Sequence, residues 1–299
     1  MAAQPSDTLG PGLARAIDLP PFGRQATASR WPVPPLEILL PALFLVALLF
    51  ACFVWPELYH LPDPVNGSIL NANKPPLSRG AVFGTDATGN DVLSRILYGG
   101  RTDLEVGFAV TGIGLVLGSL IGVVAGYLGG LVDAALMRIL DIFIAFPALV
   151  LALAIADGLG PSELHVIWAI SIFSVPLIGR LVRASALRLR EQPFILSAKL
   201  SGTNPHRIIV RHLAPLILPQ LVTLAMLGIG LVILLEGTLS FLGYGIPPPQ
   251  PSWGGMIAAG ENSLSTQAYL TIIPSAFLLA TVIAFNVLSD GLRARWGVR

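Results

Sequence analysis

The sequence predicts an all-helical membrane protein with six transmembrane helices, and three observations support this fold class. Of the 299 residues, 54% are hydrophobic and only 12% are charged, which is about half the charged share of a typical soluble domain. The hydrophobic residues form six long runs, and a helix needs roughly 20 such residues to cross a bilayer. Lysines and arginines concentrate between particular runs, as in multi-pass membrane proteins. This composition excludes a soluble enzyme and a disordered chain, which requires low hydrophobicity and high charge.

The hydrophobic runs divide the chain into a tail, a first helix, a loop and a helical core. Residues 1–35 contain seven prolines and no apolar run, so we expect a flexible tail there. The first run is too long and begins too late for a typical cleaved signal peptide. We expect a first transmembrane helix over 36–55, a loop over 56–103, a core of five transmembrane helices over 104–292 and a tail over 293–299. The five core helices are expected near 105–128, 140–156, 166–181, 216–235 and 270–288.

The positive charges predict the orientation of the chain. With six spans and the N-terminus inside, 14 of the 18 lysines and arginines fall on the cytoplasmic side. Seven of these lie between Arg180 and Arg211, and the four on the outer side all lie in the loop over 56–103. Because positively charged segments stay in the cytoplasm, we expect both termini to be cytoplasmic.

The composition also limits the chemistry available to the chain. The 18 basic and 17 acidic residues nearly cancel, so no positive field favours nucleic acid. Cys52 is the single cysteine and the four histidines form no paired cluster, so neither an internal disulfide nor a metal site is predicted. A phosphate-binding loop requires a glycine before its lysine, and neither Lys74 nor Lys199 follows one. We therefore expect no catalytic residue and no cofactor bound by this chain, and any ATP hydrolysis to occur in another chain.

Five glycines in the second predicted span follow one another at four-residue spacing: Gly114, Gly118, Gly122, Gly126 and Gly130. On a helix this spacing places them along one side, where another backbone can approach closely. We expect a helix-packing face here; a surface lining a substrate pathway is the alternative.

Three carboxylates lie near the ends of predicted spans: Asp141, Asp157 and Glu236. Ionisable groups within a membrane are candidates for function, but each of these is close to a predicted interface. Capping or pairing is therefore favoured over proton coupling.

The segment between the fourth and fifth spans predicts two short helices. The first can end at Gly202, since glycine suits the turn that follows a helix. Thr203 or Asn204 can cap the second helix, whose first residue is then Pro205. We expect Pro215 to end this second helix. Because the second helix is basic and amphipathic, the sequence leaves open whether it lies on the membrane surface or fits a groove on a soluble partner.

The same segment resembles the cytoplasmic loop of ATP-binding-cassette (ABC) importer permeases, in which Glu-Ala-Ala is followed by three residues, a glycine and a later Leu-Pro. Ala198, Gly202 and Pro215 match this pattern, whereas Leu196 stands at the position of the glutamate. The resemblance implies that the loop, about 185–215, docks into a cleft of an ATPase subunit and transmits its closure to the spans. The residues given this coupling role are Ala198, Gly202, Thr203, Asn204, Pro205, His206, Arg207, Arg211 and Pro215.

Three further segments, over 84–101, 238–254 and 284–293, resemble motifs of the C-type permease of dipeptide, oligopeptide and nickel importers. In the first segment, Asn90 replaces the usual arginine. The external candidates taken from these motifs are Asp86, Gly89, Asp91, Arg95 and Trp253.

These external residues also have a structural interpretation. Asn90 or Asp91 can cap a short amphipathic helix over 91–101. Trp253 follows a proline-rich run and is typical of an interfacial aromatic residue that holds a rigid loop. Contact with an external binding protein is the alternative.

The resemblance implies one permease subunit of an ATP-driven importer of short peptides in the cytoplasmic membrane. A second permease subunit would complete a heterodimer, two ATPase subunits would bind ATP and Mg²⁺ inside, and a substrate-binding protein would deliver the peptide outside. Transport would proceed by alternating access. A nickel or other small-solute importer subunit is the alternative within the family. An ion-coupled secondary transporter would favour broken helices and inverted repeats, and an intramembrane enzyme would need a nucleophile and base that the sequence lacks.

Overall fold

The computed structural model describes residues 35–297, which are almost entirely helical. Within this range there is no β-strand, and only two isolated bridges occur, between Ser78 and Ala81 and between Thr85 and Asp91. The predictions that fall on 1–34 and 298–299 lie outside the described residues. The helices are α1 (Pro35–Phe53), α2 (Trp55–Tyr59), α3 (Val92–Leu128), α4 (Gly130–Ile144), α5 (Ala148–Leu159), α6 (Glu163–Arg190), α7 (Pro193–Leu200), α8 (Pro205–Phe241), α9 (Trp253–Glu261) and α10 (Tyr269–Trp296).

The long helices confirm the predicted all-helical membrane fold. By length and composition, α1, α3, α6, α8 and α10 can each cross a membrane, and α4 and α5 together form a sixth candidate that is bent by 80°. The straight third span expected over 140–156 is wrong, because the helix breaks after Ile144 and resumes at Ala148. Pro147 has no backbone N–H and disfavours helical backbone at Phe146, which explains the break.

Two helices are longer than the sequence predicts. The short helix expected over 91–101 is wrong, since it is the first part of α3, which continues through a π-helical turn at Gly114–Gly118. The helix end expected at Pro215 is also wrong, because α8 passes this proline and runs on. A π-helical turn at Ile209–Leu213 precedes the proline and changes the hydrogen-bond register. Pro215 therefore lies in the first turn of a regular helix, where its missing N–H is tolerated.

Three of the other long helices pack against α3. α6 packs along α3, α8 packs against α3 and α10, and α1 lies against α10 and α3. One buried cluster, near the start of α3, includes Cys52, Leu104, Ile233, Trp253 and Phe285. Another, near the end of α3, includes Tyr127, Val182, Ile195, Ile208 and Leu213. We call the first the α9 end and the second the loop end, since α7 and the start of α8 lie there.

A row of apolar side chains on α1 faces outward. Leu39, Leu40, Leu43 and Val46 are 57%, 60%, 62% and 62% exposed in the isolated chain. Such a surface is favourable against lipid tails or another apolar helix. The exposed row is thus the expected property of a peripheral transmembrane helix.

Candidate functional site

The predicted coupling loop begins with α7, which ends in a glycine turn. Gly202 has a φ of +72°, in the left-handed region that glycine adopts without strain. Its N–H donates to the carbonyl of Lys199 at 3.0 Å, and the N–H of Thr203 donates to that of Ala198 at 3.1 Å. These two bonds form a Schellman motif, which satisfies the last carbonyls of a helix. The turn fixes the direction in which the chain leaves α7.

Asn204 then caps the N-terminus of α8. Its Oδ1 accepts a hydrogen bond from the backbone N–H of His206 at 2.9 Å, and Pro205 takes the first helical position. Of the two caps that the sequence allows, the structure thus uses Asn204, while Thr203 belongs to the preceding turn. Residues 202–206 thus connect α7 to α8, and we call α7, this turn and the start of α8 up to Pro215 the corner.

Three apolar side chains hold this corner against the transmembrane helices. Ile195 on α7 and Ile208 and Leu213 on α8 are fully buried, in the same cluster as Tyr127. The ammonium group of Lys199 also lies 4.8 Å from the centre of the Tyr127 ring, a cation–π distance. Because Tyr127 lies at the end of α3, the corner is tied to α3 as well as to α8.

Several apolar and basic side chains of the corner are exposed. Phe194, Leu196 and Leu200 of α7 are 45%, 47% and 90% exposed. Leu196 and Leu200 are four residues apart and therefore share one side of α7, and large apolar side chains grouped at a surface are typical of sites that another protein or a membrane covers. We call this surface the corner face. Its residues are Phe194, Leu196, Leu200, His206, Arg207 and Arg211, all of them exposed.

The corner brings together the residues predicted to couple to an ATPase. Ala198 and Thr203 are half-buried within it. The others are exposed, namely Gly202, Asn204, Pro205, His206, Arg207, Arg211 and Pro215. Their contact with an ATPase stays a prediction. Sequence reasoning missed Leu200, although its place five residues after the buried Ile195 puts it on the opposite side of α7.

Four of the five aligned glycines form the contact between α3 and α6. A Cβ added at Gly114, Gly118, Gly122 or Gly126 would lie 2.2, 2.7, 2.4 or 2.7 Å from an atom of α6. Real side chains do not fit at such distances, so glycine permits the close packing of these two helices. The expectation for Gly130 is wrong: α3 has ended before it, and nothing lies within 4 Å of a Cβ at that position.

The three carboxylates predicted near span ends have three different environments. Asp141 forms an ion pair with Arg180 on α6, Asp157 is exposed near the end of α5, and Glu236 is fully buried. Pairing is therefore the structural role of Asp141. Across residues 35–297, no three histidine, cysteine or acidic side chains are grouped so as to hold a metal ion.

The external candidate Asp86 lies in a polar turn before α3, and Arg95 lies in the first turn of α3. The Asp86 carboxylate accepts hydrogen bonds from the backbone N–H groups of Thr88 and Asn90, both at 2.9 Å. It also lies 3.6 Å from Nε of Arg95, and Nη1 of Arg95 donates to the carbonyl of Pro64 at 3.0 Å. These contacts fix the preceding loop on the first turn of α3.

Gly89 and Asp91 complete this polar turn. Gly89 has a φ of +81°, and a Cβ there would lie 1.9 Å from the carbonyl oxygen of Ser68. Asp91 is the N-cap of α3, since its Oδ2 accepts from the backbone N–H of Ser94 at 3.0 Å. Burial raises the pKa of Asp91, and hydrogen bonds from the backbone N–H groups of Ser94 and Leu93 act in the opposite direction. The capping interpretation is confirmed for Asp91, not for Asn90.

Trp253 lies inside the protein, so the predicted interfacial position is wrong. The residue is fully buried, and its Nε1 donates to the carbonyl of Ile96 on α3 at 3.0 Å. Its backbone N–H donates to Oδ2 of Asp103 at 3.0 Å. Because its ring N–H has a partner within the protein, the indole does not need the water interface. Trp253 instead attaches α9 to α3.

A cavity of about 410 Å³ separates the polar turn from α9. Asp86 and Arg95 line one side, and Gln250, Ser252 and Met256 line the other. Asp86 and Arg95 therefore combine a structural role with access to a cavity at the α9 end. Contact of these residues with a binding protein stays a prediction.

Sequence reasoning missed Asp103, which is fully buried on α3. The available signal was its spacing, because Asp103 lies four residues from both Gly99 and Gly107. A Cβ at Gly99 would lie 3.3 Å from Cα of Ser252, and one at Gly107 would lie 3.1 Å from Cγ1 of Ile233. Glycines at this spacing place the aspartate on a close-packed face of the helix.

Comparison with protein families gives a match over most of the helical core. The family model described as "Binding-protein-dependent transport system inner membrane component" matches residues 118–296. This range contains three of the four packing glycines of α3, the bent pair α4–α5, the corner and all of α8 to α10.

Known proteins with similar sequences are transport permeases. The chain is 42% identical over 212 residues to the dipeptide transport system permease protein DppC of Alkalihalophilus pseudofirmus. This alignment covers 71% of this chain and 69% of that protein. It is 37% identical over 259 residues to the probable D,D-dipeptide transport system permease protein DdpC of Escherichia coli K12, covering 87% and 86%. It is 38% identical over 211 residues to the glutathione transport system permease protein GsiD of Pectobacterium atrosepticum, covering 71% and 70%.

Among solved structures, the chain resembles one from the MetNI methionine ABC transporter in an inward-facing conformation. The TM-score is 0.57 at 19% sequence identity, and the alignment covers 69% of this chain and 97% of the other. At this level of identity the similarity establishes a shared fold.

Proposed function

The chain belongs to the family of binding-protein-dependent transport system inner membrane components, multi-pass permease subunits of ABC importers, and from this premise we propose that it imports short peptides. It would form one half of a permease heterodimer in the cytoplasmic membrane, with both termini inside. Two ATPase subunits would bind ATP and Mg²⁺ at the loop end, and an external binding protein would deliver the substrate at the α9 end. This chain supplies the pathway and no catalytic residue.

The observation that carries this proposal is the corner face. Leu200 is 90% exposed although it is a large apolar residue, and Arg207 and Arg211 on the first turns of α8 are exposed as well. A protein partner favours this combination, since its surface can bury the leucine and pair with the charges. The corner face is the surface that we assign to the ATPase subunit.

The anchoring of the corner suggests how ATPase closure reaches the membrane. Ile195 and Ile208 are fully buried against the cluster that contains Tyr127 and Val182. A force on the corner face would therefore move the ends of α3, α6 and α8 together, because close-packed interiors transmit displacement. In this proposal, ATP-driven closure turns these helices and opens the pathway outward, and hydrolysis resets it inward.

The substrate class rests on the relatives. Those compared are named for the transport of dipeptides, D,D-dipeptides and glutathione, and all three are short peptides or peptide-like compounds. We therefore propose a short peptide as the substrate of this chain.

Uptake into proteoliposomes tests the proposal. The full-length chain is reconstituted with its partner permease, ATPase subunits and binding protein, and uptake of a labelled dipeptide, glutathione and Ni²⁺ is measured with and without ATP. We expect ATP-dependent uptake of one of the peptides and none of nickel. Nickel uptake without peptide uptake would contradict the substrate class. Uptake by this chain alone under an ion gradient would contradict the importer assignment.

A matched pair of variants tests the corner face. Leu200→Asp is expected to lower ATP-dependent uptake by about tenfold or more, because burying a leucine at an interface contributes about 1.5–3 kcal/mol. Leu77→Asp is the control, since Leu77 is 88% exposed and Leu200 is 90% exposed, but Leu77 lies at the α9 end. Co-purification of the ATPase subunits with Leu200→Asp as fully as with Leu77→Asp would show that the ATPase docks elsewhere.

A further inference from the structure

Two carboxyl groups meet inside the helical bundle, apart from the corner face and the polar turn. Asp103 on α3 and Glu236 on α8 are each fully buried. Both lie beside the start of α9, because the N–H of Trp253 donates to Asp103 and Gly254 packs on the carbonyl of Gly237, the residue after Glu236. The two helices approach closely beside the pair, since a Cβ at Gly107 would lie 3.1 Å from Cγ1 of Ile233. Ionisable groups in such a place are candidates for a specific role, because burying them is costly.

Each carboxyl group uses one oxygen to accept a hydrogen bond. Oδ2 of Asp103 accepts from the backbone N–H of Trp253 at 3.0 Å. Oε1 of Glu236 accepts from the hydroxyl of Ser240 at 2.5 Å. The Ser240 oxygen itself accepts the N–H of Ile246 at 2.9 Å, so its single proton is free to point to Glu236. One oxygen of each carboxyl group is thereby satisfied.

The other two oxygens have no donor. Oδ1 of Asp103 and Oε2 of Glu236 are buried without a hydrogen-bond partner in the described part of the chain. No lysine, arginine or histidine within 35–297 forms an ion pair with either group. Two further ionisable groups near the pair, Cys52 and Glu163, bring no positive charge. Two carboxylates side by side in this low-dielectric site would repel each other strongly.

We propose that Asp103 and Glu236 share one proton, held between Oδ1 of Asp103 and Oε2 of Glu236. One group is then a carboxylic acid that donates and the other a carboxylate that accepts, so that all four oxygens are hydrogen-bonded. The remaining negative charge is stabilised by the Ser240 hydroxyl and by the N–H of Trp253. This N–H is at the N-terminus of α9 and has no acceptor within that helix. A proton is the ligand that fits, because within residues 35–297 no third histidine, cysteine or acidic side chain joins the pair to complete a metal site.

The shared proton closes a junction between three helices and a loop. Trp253 connects α9 to Asp103 on α3, and Ser240 connects Glu236 on α8 to the loop residue Ile246. α9 and α8 also touch beside the pair, since a Cβ at Gly254 would lie 2.2 Å from the carbonyl oxygen of Gly237. Removal of the proton would set two like charges against each other at the centre of this junction and loosen it.

Infrared spectroscopy of the full-length chain in lipid nanodiscs tests the proposal. The wild-type chain is expected to show the C=O stretching band of a protonated, buried carboxylic acid. Asp103→Asn and Glu236→Gln are each expected to abolish this band, because the new amide donates to the remaining carboxylate without an added proton. Both substitutions preserve shape and hydrogen bonding, so we expect unfolding temperatures close to that of the wild-type chain.

Glu163→Gln is the matched control, since Glu163 is the other acidic group that faces the pair, and this variant is expected to keep the band. Absence of the band from the wild-type chain, a measurement that requires no variant, would overturn the proposal because both groups would be ionised. A band that persists in either amide variant would also overturn it, since the remaining group would hold a proton of its own. Loss of the band in Glu163→Gln would place the proton on a different residue.

Discussion

Arg183 and Asp133 form a two-bonded ion pair, in which Nε and Nη2 of the arginine donate to the two carboxylate oxygens at 2.5 and 2.6 Å. The pair joins α6 to α4, and Arg180 and Asp141 join the same two helices further along. α6 leads into the corner, and α4 is the first helix of the bent pair. These contacts therefore connect the bent pair to the helix that precedes the proposed ATPase-docking surface. The break before Pro147 thus directly follows a helix, α4, that two ion pairs hold to α6.

The first prediction concerns the strength of this ion pair. A double-mutant cycle with Arg183→Gln and Asp133→Asn is expected to give an interaction energy of about 1 kcal/mol, because the geometry is bidentate but the arginine side chain is 33% exposed. Thermal unfolding of the purified chain in detergent measures it. An interaction energy near zero would mean that the two groups do not hold α4 to α6.

The second prediction concerns the glycine face. Gly122→Ala is expected to destabilise the chain by about 1–3 kcal/mol, because the added Cβ would lie 2.4 Å from the carbonyl oxygen of Gly179 on α6. Gly112→Ala is the control on the same helix, where nothing lies within 4 Å of the new Cβ. This control should be neutral or more stable, since alanine favours helix by about 1 kcal/mol. Equal effects in thermal unfolding would contradict glycine-dependent packing.

The third prediction concerns the cap of α3. Asp91→Ala is expected to cost about 0.5–2 kcal/mol, because the backbone N–H of Ser94 would lose the acceptor that lies at 3.0 Å. Asp91→Asn keeps an oxygen at the same place and is expected to retain most of the stability. Hydrogen exchange over the first turn of α3 measures the effect locally. Unchanged exchange in the alanine variant would show that the cap is dispensable.

Much of the fold could be predicted because its signals are local. Apolar runs mark the spans, and the turn at Gly202 depends on a backbone conformation that few other residues adopt. The four-residue spacing of Gly114 to Gly126 likewise predicts a helix face without knowledge of its partner. Each of these features depends on neighbours within a few residues.

The remaining errors arose where distant residues decide the outcome. Pro215 is tolerated in α8 because a π-helical turn precedes it, and the sequence has no clear signal for such a turn. Trp253 is buried because Asp103 and Ile96, more than a hundred residues away, accept its two N–H groups. Asp103 itself was missed because its hydrogen bond with Trp253, far along the chain, is a tertiary contact.

The fourth prediction compares two glycine turns, one that follows α7 and one that follows α8. Gly202 and Gly243 have φ values of +72° and +85°, and nothing lies within 4 Å of a Cβ at either position. Gly243 follows α8 and makes the same pair of bonds, since its N–H donates to Ser240 at 3.1 Å and that of Tyr244 donates to Leu239 at 2.9 Å. A valine at either glycine therefore has the same cost, about 1–2 kcal/mol from the backbone alone.

Because the structural costs match, the two valine variants separate stability from coupling. Gly202→Val is expected to reduce co-purification of the ATPase subunits and ATP-dependent uptake, since a changed turn redirects the corner face. Gly243→Val is expected to lose similar thermal stability and to retain the ATPase subunits. Gly202→Asn should restore most of the association, because asparagine tolerates the left-handed conformation. If Gly202→Val retains the ATPase subunits as well as Gly243→Val does, the corner between α7 and α8 is not where they dock.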